Sequence, residues 1–587
     1  MPPASTAPTP AHAGRRLAVA LALAAALVLG IWAARQRDST SSAPAQPTFN
    51  RDVAPLLHAH CAPCHQPGEA APFSLLTFAD AHKRARQLAE ITAAHVMPPW
   101  LPSGPPRQFA GDRRLSDDQI ETLRRWAAQG AVEGSGPAPA PPAPAQGWRL
   151  GAPDLVVTLP EPFLLPAEGR DVYRNFVLPL TNTTRRFVRA FEFRPGNARL
   201  VHHAFFRLDP TPASRQRDEA EPGPGFAGLH TPPSAQAPDG HFLSWQPGQA
   251  ARAEPDGMAW PLEPGTDLVL QLHLRPSGKT EQLQPAMGLY FTDTPPRRQA
   301  LTLGLRLFDL DIPAGTAAHV VRDTLELPVA VEVLAVLPHA HYLARDLRAF
   351  ATLPGGDTRP LLQIPRWDVN WQGDYRYTRP LPLPAGSVVT LEYTYDNTTN
   401  NPANPHHPPT RVRYGLQAED EMAELWLQVV PRRPGDLEAL RQSRGPRVLR
   451  ESLGYHRHLL TLNPGDARAL AEMGKAHVLL GEIPAGEPFL RAAMQAAPTL
   501  DEPHYWLGLA RRLQGRLAEA RTEFAIATRL NAANGRAWGN LGLVLLDLGD
   551  PAAALPALRR AVALDPGDTV AQEALQTALR GPSEPRK

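Results

Sequence analysis

Gly474, Gly508 and Gly542 stand 34 residues apart, and Gly481, Gly515 and Gly549 repeat the same interval. Pro464, Pro498 and Pro566 keep that register, with Ala532 in the one slot that breaks it. A fixed interval of this length leaves few folds open. Each repeat is a supersecondary unit that cannot bury its apolar face alone, so neighbours must stack into an array. The stretches LGLARRLQGRLAEA and LGLVLLDLGDPAAA place their small residues where paired helices approach each other closely.

A 34-residue period with helix–turn–helix patterning resembles the tetratricopeptide repeat (TPR). The resemblance covers residues 451–581, after a linker at 433–450. It implies an α-helical solenoid whose concave groove holds a protein partner, a type of surface that rarely performs chemistry.

The remaining chain, within 587 residues, is too long for a single core. Lys+Arg 60 against Asp+Glu 58 leaves a net charge of +2, with no basic block carrying interleaved aromatics, so nucleic acid is excluded as a partner. Residues 17–34 form an apolar run after Arg15 and Arg16. The run meets the lower bound for a spanning helix, and Trp32 spoils a cleavage exit. Residues 1–47 therefore read as an uncleaved signal anchor and tether. The expectation is a chain exported to the periplasmic side and held in the inner membrane. Residues 48–134 look helical, and 135–147 form a Pro/Ala linker that spans ~40 Å when extended. From 148 to 432 short alternating runs such as DLVLQLHLRP and SVVTLEYTYDN are divided by Gly, Pro and Asn. That pattern specifies antiparallel β-sandwiches, one over 148–300 and one over 301–432.

The chain has two cysteines, Cys61 and Cys64, and both fall in Cys61-Ala62-Pro63-Cys64-His65. C-x-x-C-H is the attachment sequence of a covalent c-type haem, with the histidine as axial ligand. A zinc half-site assisted by His58 and His60, or a redox dithiol, are the alternatives. The surroundings resemble a class I cytochrome c. Met97, 32 residues after His65, takes the place of the sixth ligand, with His95 as its rival. A Met/His pair leaves no open position, which implies electron transfer and not oxygen binding.

Four histidine motifs lie in the β region. His339 and His341 are i and i+2, so on a strand they share a face and form a natural clamp for a metal. His202 and His203 face opposite ways on a regular strand and converge only if a bulge or strand end turns one ring. His273 alone reads equally as a core or surface residue. His406 and His407, in a Pro/Asn-rich loop, read as surface residues, with an auxiliary metal site as the alternative.

In order and spacing, these motifs followed by Met422 resemble the copper type II, ascorbate-dependent monooxygenase family (peptidylglycine α-hydroxylating and dopamine β-monooxygenase-like). DVYRNFVLPL at 171–180 is similar to the opening of its first domain. The resemblance covers about residues 150–430. It implies jelly-roll-like sandwiches with one copper ion on His202, His203 and His273. A second copper sits on His339, His341 and Met422, and these three are the catalytic set. The two sites face each other across an open cleft. It further implies hydroxylation of a C–H bond of a small-molecule or peptide substrate by O2. The chain departs from the family in having no possible disulfide, and in Ala204 after the His pair.

The whole reads as a multidomain oxidoreductase: an all-α cytochrome c, two copper sandwiches and a TPR solenoid. A respiratory or ascorbate-like donor supplies electrons through the haem. The alternative is a non-catalytic haem/copper electron-transfer or scaffold protein organising an envelope complex through its repeats.

Overall fold

Strand patterning and the repeat period each find their counterpart in a computed structural model, which describes residues 46–142, 147–249, 251–255 and 257–580. The expected membrane segment at 17–34 lies outside these. Among the described residues no helix is long and apolar enough to cross a membrane.

The molecule divides into two units. The first comprises residues up to Gln66, Phe73–Pro98 and Leu115–Pro142. It is helical: α1 (Ala54–His60), α2 (Phe78–His82), α3 (Ala85–Ala93) and α4 (Asp117–Ala128). Thr77 and Ser116 open α2 and α4 with reciprocal capping boxes, which satisfy the first free amides of each helix. Phe49, Leu57, Leu75, Leu88 and Trp126 fill its core.

Two pieces of the expected 48–134 domain, Pro67–Pro72 and Pro99–Arg114, belong instead to the second unit. The reason is apolar burial. Phe109, 3% exposed, enters the core of the C-terminal sandwich and bridges to Tyr377.

The second unit begins with a sandwich built on β1 (Leu155–Thr158), β2 (Val172–Pro179), β3 (Arg186–Arg194), β4 (Val201–Asp209), β5 (Asp267–Leu274) and β6 (Ala286–Thr292). One sheet runs β1-β6-β3, and the other runs β2-β5-β4 with the short strands Phe226–Ala227 and Ser244–Trp245 at its edges. Every residue of β5 is buried. Leu268, Leu270 and Leu272 enter the core, while Gln271 bonds the Leu229 carbonyl of a loop crossing the opposite face.

The next sandwich adds β7 (Leu301–Arg306), β8 (His319–Glu326), β9 (Val331–His339), β10 (Ala344–Thr352), β11 (Thr358–Ile364), β12 (Tyr375–Leu383), β13 (Val388–Tyr395) and β14 (Glu424–Pro431). Its sheets run β7-β14-β9-β12 and β8-β13-β10-β11, all antiparallel. β7 alternates buried and half-buried residues, the pleat period read from the sequence.

The expected linker at 433–450 is a correction. Residues 437–462 form one helix, α5 (Leu437–Leu462), despite Gly445-Pro446. Leu440 is fully buried in the sandwich core. Arg306 and Arg447 grip the 7% exposed Glu451, and Arg447 also pairs with Asp323. These contacts compensate the helix for the proline's missing hydrogen bond.

Helices α6 (Ala467–Leu479), α7 (Ile483–Ala496), α8 (Glu502–Leu513), α9 (Leu517–Leu530), α10 (Gly535–Asp547), α11 (Pro551–Leu564) and α12 (Thr569–Arg580) complete the chain. The two glycine series have separate causes. Gly481, Gly515 and Gly549 turn the chain between helices with φ of 78°, 76° and 80°. Gly474, Gly508 and Gly542 sit where a Cβ would strike the partner helix, at Leu490, Phe524 and Leu558.

Gly542→Val will therefore overpack the α10–α11 contact and cost about 1–3 kcal/mol, read as a lower midpoint for helical unfolding in the full chain. Adding Leu558→Ala will recover part of that loss. Strictly additive costs would show that the two positions do not meet.

Candidate metal centres

A register fault in one sheet builds the first centre. β4 pairs with β5 with Ala204 opposite Leu272 and His203 opposite His273, yet the next pair is Val201 with Leu274. His202 is skipped. Such an extra residue bends the strand and re-aims a side chain, and here it turns His202 to the side that His203 and His273 share. The three ring centroids lie 4.8–5.2 Å apart. One ring nitrogen from each comes within 4.8 Å of the others. Among the described residues this is the one group of three metal-ligating side chains drawn so close.

Asp171 orders the trio. Its Oδ2 lies 2.6 Å from His273 Nε2 and accepts that proton, leaving Nδ1 as the lone-pair nitrogen. That Nδ1 is buried with no hydrogen-bond partner, an orphan of the kind a cation relieves. Tyr173 stacks on His273 at 4.3 Å and 17°. Burial, then Arg275 and His273, pushes His202 down to about 3. Burial holds His203 well below the ordinary imidazole value and lowers His273 against the pull of Asp171. All three rings are therefore neutral at physiological pH, as ligands must be.

The second centre stands where β9 ends. His339 is its last residue and His341 lies just beyond, with ring centroids 5.2 Å apart. Each ring donates its Nδ1 proton to a carbonyl oxygen: His339 to Gln372 Oε1 at 2.6 Å, His341 to the Asp420 backbone at 3.0 Å. Both therefore keep the lone pair on Nε2. Burial, then His339, pushes His341 down to about 3. Met422 is 7% exposed, and its backbone is tied to that of His341 through one buried carboxylate. Glu421 accepts from the amides of His341, Met422 (2.8 Å) and Leu343 (2.9 Å). Burial raises its pKa to about 8. The Tyr395 hydroxyl bonds the Met422 carbonyl, and the Trp367 indole bonds the His341 carbonyl.

The two groups of side chains belong to different sandwiches. His339 opposes protonation of His203. Asp171 also accepts from Arg275, and Arg275 donates to Asn370 at 2.9 Å, two residues from the Gln372 that holds His339.

In the helical unit, the turn closing α1 carries the cysteines. Cys64 and His65 amides bond the Cys61 carbonyl. Neither thiol is in a disulfide, both are half-buried, and burial pushes Cys61 up to about 12. His65 Nδ1 donates to the Phe73 carbonyl at 3.2 Å, leaving the lone pair on Nε2. Met97 lies half-buried in the loop after α3, and His95 is exposed with φ 54°. His58 bonds the Leu76 carbonyl and His60 meets Gln119, so neither closes on the thiols as a zinc site requires. His406 bonds the Glu419 carbonyl, and His407 is exposed. They form no metal cluster among the described residues.

Sequence reasoning missed Asp171, Gln372 and Glu421, which hydrogen-bond the candidate ligand residues and orient them. Only Asp171 left a signal, at the head of DVYRN.

The Tetratricopeptide repeat family matches residues 505–569. No curated protein matches the chain. Among solved structures, YrrB, a TPR protein with an unusual peptide-binding site, is 27% identical over 21% of this chain and 64% of its own, with TM-score 0.21. The match thus spans less than two thirds of YrrB. MamA is 22% identical over 24% of this chain and 77% of its own, at 0.22. The first TPR of Spaghetti (RPAP3), solved with an HSP90 peptide, is 20% identical over 19% and 90%, at 0.19.

Asp171→Ala will free His273 to rotate and exchange tautomers, so that in titrations with divalent metal ions the variant will bind them about 10–100-fold more weakly than wild type. An unchanged affinity would refute the orienting role.

Proposed function

We propose that the two sandwiches bind a pair of copper ions and hydroxylate a C–H bond of an organic substrate with O2. Electrons would arrive through a c-type haem in the helical unit. One observation carries this reading: the bulge at His202 gathers three neutral imidazoles around an orphaned ring nitrogen. A strand bend with no need of a ligand has no reason to bury them together.

His202, His203 and His273 would hold one copper, and His339, His341 and Met422 the other. Imidazole accepts several transition metals, but a thioether selects soft Cu(I), and that argues for copper at the second centre. Held by His339, His341 and Met422, copper would supply one-electron chemistry toward dioxygen. The chain's own residues do the positioning. Asp171, Gln372 and the Asp420 carbonyl each fix a tautomer, so that His273, His339 and His341 each present a bare nitrogen. Glu421 fixes the spacing of His341 and Met422 by binding both amides. The Arg275–Asn370 bond ties the two ligand sets across the sandwich interface.

Cys61 and Cys64 would take the thioether attachment of a haem, and His65, through Nε2, and Met97 would hold its iron. A fused, tethered electron carrier answers the need for two electrons per turnover. The chain end would anchor this assembly on the periplasmic side of the inner membrane.

The repeats favour a second reading, because the family match at 505–569 points to protein binding and not to catalysis. In it the metal centres only carry electrons, and the array organises an envelope complex.

The purified chain will bind copper near 2:1, and His203→Ala and His341→Ala will each lose about one ion. Met422→Ala will keep the haem and the first copper but lose substrate-dependent oxygen uptake. If wild type, loaded and reduced, consumes no more oxygen than Met422→Ala across candidate substrates, the scaffold reading prevails.

A further inference from the structure

A cleft of 810 Å³ lies in the second unit, walled by both sandwiches and by α5. Leu229, Leu325, Leu337 and Trp426 give it apolar sides. Four arginines reach it: Arg207, Arg306, Arg444 and Arg447. Three are matched by carboxylates, Arg306 by Glu451, Arg444 by Asp239, and Arg447 by Asp323 and Glu451.

Arg207 is the exception. It is half-buried on β4, and among the described residues its one hydrogen bond is to a neutral group, Gln271 Oε1, at 3.3 Å. Gln271 has no freedom to offer anything else. Its amide nitrogen is committed to Asn175 Oδ1 and the Leu229 carbonyl, and Asn175 is fixed in turn by the Phe226 and Gly228 carbonyls. A guanidinium carries five N–H donors. Burial lowers the Arg207 pKa with no carboxylate opposing it among the described residues, although Glu326 also lines the cleft. A desolvated, unpaired cation is costly, and burial of this kind persists where an anion arrives to share it.

We infer that this cleft is a binding site for an organic carboxylate, its anionic head on Arg207 and its apolar body against Leu337 and Trp426. Arg207 shares a sheet face with Phe205 and His203, and rows on that face are about 7 Å apart. The site therefore uses none of the metal ligands and stands whether or not copper binds. A planar fork suits a carboxylate, and the apolar walls discriminate against small inorganic anions.

The test is calorimetric titration of the metal-free full chain with hexanoate, benzoate and 4-phenylbutyrate, alongside 4-phenylbutanol and inorganic phosphate. At least one of the three acids will bind 1:1, and Arg207→Gln will weaken it ten-fold or more. Arg207→Lys will retain part of the affinity, and the alcohol will bind at least ten-fold more weakly. Without ligand, Arg207→Gln will unfold at the same temperature as wild type or higher, whereas an arginine kept only to brace Gln271 would lower it. The inference is overturned if none of the acids binds, if acid and alcohol bind alike, if phosphate binds as tightly as the best acid, or if Arg207→Gln binds like wild type.

Discussion

The skipped residue between β4 and β5 is the constraint on which the first centre depends. On an unbroken strand His202 would point into the apolar core beside Ala204, where an imidazole without a partner costs free energy. The register slip removes that conflict and places a third ring beside His203 and His273. Straightening the strand with His202 retained would instead reverse the facing of every side chain before it, taking Val201 out of the core. The bulge and the trio are one feature.

What surrounds the two centres is as ordered as the rings themselves. Each of three histidines, His273, His339 and His341, gives one nitrogen's proton to an oxygen held by the scaffold, so its other nitrogen has no choice of tautomer. The acceptors come from distant segments: a loop before β2, a turn before β12, and the approach to β14. This dispersion makes the centres products of the tertiary fold. The same logic explains Glu421, a buried carboxylate whose value lies in binding amides on both sides of the second centre. The Asp171–Arg275–Asn370 chain joins the two sets across the sandwich interface.

The sequence disclosed features with a period or a fixed spacing, and it hid those that depend on packing. The 34-residue glycine series was legible because close helix approach and a left-handed turn each demand glycine at a fixed interval. The alternating runs disclosed two sandwiches, and His339-Ala340-His341 disclosed two neighbouring rings, although the strand ends at His339 and the i to i+2 rule does not itself place His341. The paired His202 and His203 could be read only conditionally, since a bulge is a property of the partner strand as well. α5 was hidden behind Gly445-Pro446, a breaker by local rules. The helix is upheld by Leu440 and by buried ion pairs with residues more than a hundred positions away. Pro99–Arg114 was misassigned for the same reason, because Phe109 finds its core in the C-terminal sandwich.

The central claim is that one centre is built of imidazole alone and the other carries a thioether. X-ray absorption of the copper-loaded chain in its reduced state tests this directly. The account predicts a nitrogen-dominated shell with one sulfur scatterer for every two copper ions, lost in Met422→Ala and kept in His203→Ala. A shell without sulfur, a sulfur signal that survives Met422→Ala, or a chain that retains no copper would contradict it.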